Sequence, residues 1–96
     1  MKTQIKILQS KGCNCNGGKK ILISFPVGIN KEFIKKTLQL GFVTNDKYVN
    51  NGILFLQRGP ITISGSICLK NANLFCSQKQ CDDIIDETIR LLDSLF

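Results

Sequence analysis

Five cysteines are the residues of this chain best equipped for chemistry: Cys13, Cys15, Cys68, Cys76 and Cys81. A Cys-x-Cys pair and a Cys-x4-Cys pair supply four thiolates, Cys13, Cys15, Cys76 and Cys81, the number a tetrahedral structural zinc site uses. The spacing departs from the common Cys-x2-Cys knuckle. Three other readings therefore stand beside zinc: reactive or redox thiols, inert cysteines, and one disulfide of the kind that hyperthermophile proteins keep inside the cell. The odd count leaves at least one thiol unpaired within a monomer. Cys81 falls on an apolar helical stripe and fits a small buried hydrophobe, as does Cys76. Cys13 and Cys15 sit in a Gly/Asn loop, where nothing in the pattern buries them.

What is missing narrows the chemistry further. The chain has no histidine, which removes Ser-His, Cys-His and imidazole-metal arrangements within one chain. Four of the seven acids cluster at Asp82, Asp83, Asp86 and Glu87, so no separated carboxylate pair is available for acid–base work. The segment GCNCNGGKK invites comparison with a phosphate loop, but Cys13 stands where the first glycine belongs and Lys20 where Ser or Thr belongs. A strand rather than a helix follows it. The pattern points to a protein that is not an enzyme and needs no cofactor, with zinc as the alternative.

Charge is the second chemical signal. The net charge is +6 and the pI about 9.2. Residues 1–50 hold nine lysines against Glu32 and Asp46, whereas residues 51–96 hold four basic residues against five acidic ones. Such asymmetry suits a surface that meets a polyanion. Lys19, Lys20, Lys31, Lys35, Lys36 and Arg58 are the candidate contacts, and binding through them would be salt-sensitive and weakly sequence-specific. The six Phe and one Tyr fall mostly at core-like positions, with no exposed aromatic pair on a strand. The expected function is a small non-catalytic binding module for nucleic acid or another polyanion. The other classes are a cysteine-based metal or redox protein, and a protein-interaction or regulatory module of the sort archaea and mobile elements carry. The last would dock another protein on its sheet edges or its Cys68 face.

The elements that position these residues follow from periodicity. Ninety-six residues fit one domain, 1–96, and 43% hydrophobic with 21% charged content is an ordinary globular mixture. Alternation predicts strands over Thr3–Gln9, Lys19–Val27 and both halves of Gly52–Lys70, the latter joined at Arg58-Gly59-Pro60. That hairpin is expected to centre the sheet, with Thr62, Ser64, Ser66 and Cys68 on its outward side. A short strand is expected near Tyr48-Val49 and another at Leu74-Phe75-Cys76 after a turn at Asn71-Ala72-Asn73.

Two helices complete the pattern. The first runs over Lys31–Leu40, capped by Asn30, stopped by Gly41-Phe42, with Phe33, Ile34, Thr37 and Leu38 inward. The second opens on a Ser77–Gln80 capping box and carries the stripe Cys81, Ile84, Ile85, Thr88, Ile89, Leu92, Leu95 and Phe96. The fold class is α+β, a mainly antiparallel four- or five-stranded sheet with two helices on one face, in the order β-β-α-β-β-(β)-α. The apolar run Ile21–Ile29 is broken by Ser24, Pro26 and Gly28, too short to span a membrane, and no signal-peptide core is visible. A cytoplasmic, soluble protein is expected.

Overall fold

Strand pairing assembles the chain into one five-stranded antiparallel sheet. The computed structural model describes residues 4–12, 19–77 and 81–96, and only the backbone of residues 10–12. The elements are β1 (Lys6–Gly12), β2 (Lys19–Ser24), α1 (Lys31–Gln39), α2 (Asp46–Asn50), β3 (Ile53–Arg58), β4 (Ile61–Ser66), β5 (Asn71–Cys76) and α3 (Asp82–Asp93). Across the sheet the strands run β1-β2-β5-β4-β3, every neighbouring pair antiparallel. The α+β class is as the pattern predicts, and so is the packing of the two long helices, α1 and α3, on one face; α2 is a third, short helix.

Alternation along the strands buries one face. Ile21 and Ile23 of β2, Leu54 and Leu56 of β3, Ile61 and Ile63 of β4, and Ala72, Leu74 and Cys76 of β5 are all buried. They join the inward residues of both long helices in one cluster: Phe33 and Ile34 from α1, and Ile85, Ile89 and Leu92 from α3. Burying each large apolar side chain contributes roughly 1.5–3 kcal/mol, so this face holds the fold together. The rings of Phe25, Phe33 and Phe96 seal the seam between the helices, with centroids 5.1–6.0 Å apart. The buried hydroxyls of Thr37 and Thr88 donate to the carbonyls of Ile34 and Ile84, so neither weakens the core.

Local chemistry sets the ends of α1. The Asn30 side chain accepts from the Phe33 amide at 2.8 Å. At the other end Gly41 takes φ +100, and the amides of Gly41 and Phe42 donate to the carbonyls of Leu38 and Thr37, the Schellman pattern. The β3–β4 hairpin turns on Gly59 at φ +57, followed by Pro60, whose ring holds φ negative.

Several elements depart from expectation. The strongest hairpin lies at one side of the sheet, with β3 at the edge, and the central strand is β5. Asn71-Ala72-Asn73, expected to turn, belongs to that strand, because pairing to β2 and β4 on both sides outweighs the local turn preference of Asn. Tyr48-Val49 is helical rather than extended: Asn45 caps α2 by accepting from the Lys47 amide at 2.9 Å. Val43, not Tyr48, makes an isolated bridge to Gln57 of β3. Leu38, expected inward, is exposed. Cys68 is not on a strand but in the β4–β5 connection at φ +79. Cys81 rather than Ser77 precedes α3, while Gln80 and Thr3 lie outside the described residues.

Candidate nucleic-acid interface

The face opposite the helices is assembled by register, because residues paired across antiparallel strands project to the same side. One row across it runs Lys20, Phe75, Thr62 and Gln57. The next runs Gln9, Leu22, Asn73, Ser64 and Phe55. Beyond it lie Lys6, Ser24 and Asn71. Every one of these side chains is exposed or half-buried. Among the described residues, neither long helix covers this face.

Its composition differs from that of the rest of the surface. All seven acids of the chain are helical, Glu32 in α1, Asp46 in α2 and the others in α3, so no carboxylate stands on a strand. The open face instead presents Lys6, Lys20, neutral amides and hydroxyls, and two phenylalanines. Phe75 is 36% exposed and is paired in register with Lys20. A shallow depression lined by Gln9, Lys20, Leu22 and Asn73 lies beside it. Phe55 is half-buried, with the Tyr48 ring of α2 against it at 5.2 Å between centroids. The Thr44 hydroxyl donates to the Phe55 carbonyl at 2.6 Å, holding the segment before α2 against β3.

The six basic residues singled out by charge are divided between the two sides of the sheet. Lys20 is on the open face. Lys31, Lys35 and Lys36 are exposed on α1, which packs on the covered face. Lys19 pairs in register with buried Cys76, and its ammonium meets the Asp82 carboxylate at the start of α3 at 2.9 Å. Arg58 donates from Nε to the Leu40 carbonyl at 3.2 Å, at the negative end of the α1 dipole. Lys19 and Arg58 thus have intramolecular partners on the helix side.

Sequence reasoning missed the aromatics. Phe55 lies between buried Leu54 and Leu56, and Phe75 between buried Leu74 and Cys76. Both strands read as continuous apolar runs, which conceals the alternation. A strict period of two through the leucines would have put both rings on the opposite face. Register thus places one exposed ring, Phe75, and one half-buried ring, Phe55, on the open face, on strands separated by β4.

Of the cysteines, Cys76 and Cys81 are both buried and joined by a disulfide, their Cα atoms 6.1 Å apart. The bond ties the end of the central strand to the start of α3. Cys68 is an exposed free thiol, and Cys13 and Cys15 lie outside the described residues. Among the described residues no three Cys, Asp or Glu side chains are grouped to hold a metal ion. Among them, too, no helix is long and apolar enough to cross a membrane.

Compared with known proteins, the chain matches no family model, no curated protein and no solved structure.

Proposed function

We propose that this protein is a non-catalytic module that binds nucleic acid, and that it does so with the open face of the sheet. The observation that supports the reading is charge segregation: all seven carboxylates are on helices, while the open face offers lysines, amides and aromatic rings. Phosphates approaching this face meet no strand-borne carboxylate, and the net charge of +6 draws them in. The patch inferred from charge alone contributes Lys20, and the α1 lysines act at longer range through the overall field. An acidic protein is a poorer fit, because two lysines among neutral and aromatic groups give few ion pairs for a peptide carboxylate array.

Titration of a labelled oligonucleotide against the protein tests this. Affinity should fall as salt rises, log K declining by roughly 0.7 for each phosphate neutralised per tenfold rise in salt on a single strand. Lys20→Glu should lower affinity strongly, while Lys36→Glu on the helix side should lower it little. Absence of affinity at low salt would end the proposal.

A second reading makes Cys76 and Cys81 a redox couple: the disulfide speaks for it, and the burial of both cysteines speaks for a structural bond. Zinc bound by Cys13, Cys15, Cys76 and Cys81 would need that same pair reduced, because only thiolates ligate the metal. Mass spectrometry under native and denaturing conditions reports bound metal and the disulfide together.

A further inference from the structure

We infer that the ligand of the open face is a single strand, with bases stacked on two separate aromatic stations. This rests on the nucleic-acid reading above and narrows it. The first station is Phe75, with Lys20 beside it and the Gln9–Asn73 depression next to both. The second is the Tyr48–Phe55 pair, in which Tyr48 is 41% exposed. Register puts the two stations two strands and two residues apart. With strands about 4.8 Å apart and a rise of about 3.4 Å per residue, that is a backbone separation of about 12 Å.

That separation decides the form of the ligand. Adjacent bases along a duplex strand are about 3.4 Å apart and stacked on both faces, so none offers a free face to a protein ring. Stations whose backbones are about 12 Å apart suit bases that have left the stack rather than stacked neighbours. Between the stations β4 presents Thr62 and Ser64, hydroxyls that donate to or accept from base edges or the 2′-hydroxyl. Gln9 and Asn73 supply amides, which hydrogen-bond base edges in both directions. Stacking on rings is tolerant of sequence, so specificity here is modest and comes from those neutral polar groups.

The chain itself contains the probe for this inference. Tyr48 is the only tyrosine and there is no tryptophan, so ultraviolet-excited emission reports the second station alone. Intact protein is titrated with oligouridylate, oligothymidylate, duplex DNA of equal length and polyglutamate at low salt. The expected result is tighter binding of both single strands than of duplex, with quenching of Tyr48 emission by single strands only. Phe75→Ala should weaken single-strand binding about 5- to 150-fold and duplex binding far less, with the circular dichroism of the wild type. Should that variant not fold, Tyr48 quenching in the wild type decides alone. Equal binding of duplex and single strand, without quenching, overturns the stacking inference but leaves nucleic-acid binding standing. Binding of polyglutamate alone, or of no probe, overturns both.

Discussion

The two faces of one sheet are made from the same strands and differ in almost every physical respect. On the covered face Ile23, Leu56, Ile63 and Leu74 are wholly buried, and α1 and α3 supply the other half of the core. On the open face, one residue along in each strand, Leu22, Phe55, Ser64 and Asn73 meet solvent. Most open-face residues are polar, but three, Leu22, Phe55 and Phe75, are as hydrophobic as many core residues and still are not buried. What distinguishes them is whether a helix stripe exists to cover them. Among the described residues, two long helices provide apolar stripes and both lie on one side. The lesson concerns where function and stability are stored: substitutions on one face should act on folding, those on the other on binding.

Adjacent residues of β4 give the most severe test. Ile63→Asp places an unpaired charge at a fully buried position and should destabilise the protein by more than about 4 kcal/mol, a large share of a typical domain's stability. Ser64→Asp, its neighbour on the open face, should shift stability by no more than about 0.5 kcal/mol while weakening oligonucleotide binding. Urea denaturation and anisotropy on the two variants check both. A cooperative, folded Ile63→Asp protein would mean that the faces are assigned the wrong way round.

The disulfide comes next in size. It closes a short loop on the covered face, and chain-entropy arguments give such a bond about 2 kcal/mol. Full reduction, verified by mass, should lower the unfolding free energy from urea denaturation by that amount and leave affinity unchanged wherever the protein stays folded. A loss of binding at full foldedness would couple the two faces and favour the redox reading.

The smallest effects separate basic residues that hold structure from those proposed to meet a ligand. Arg58→Ala should cost about 1 kcal/mol of stability, through the lost bond to the Leu40 carbonyl and the α1 dipole, and should scarcely change affinity. Lys19→Gln should cost less than about 0.5 kcal/mol, since the Asp82 pair is largely solvated. If either variant lost affinity as Lys20→Glu is expected to, the ligand would have to reach around the sheet end.

Much of the fold was legible residue by residue. Asn30 as a cap and Gly41-Phe42 as a stop were local statements, and local geometry honours them because a cap needs only neighbouring atoms. The α3 stripe held for a similar reason: a period of 3.6 over the twelve residues of the helix admits one buried side, that of Ile85, Thr88, Ile89 and Leu92. The site was less legible. Lys19 and Lys20 are adjacent in sequence and look alike, yet register sends one toward Asp82 and the other beside Phe75. Arg58, a basic residue at a hairpin tip, became a helix cap only because α1 ends beside it.

By itself, then, the sequence determined the class of fold, the ends of its first helix, the apolar side of α3 and the basic balance of the chain. These depend on spacing and composition, which a linear chain already contains. Tertiary structure alone decided that β5 is central, that Cys76 meets Cys81, and that Phe55, Phe75 and Lys20 share a face whose strands carry no carboxylate. Those facts depend on which strand pairs with which, and in what register. A one-residue slip in register would exchange the two faces, and only the burial of the whole apolar set against α1 and α3 selects one register over the other.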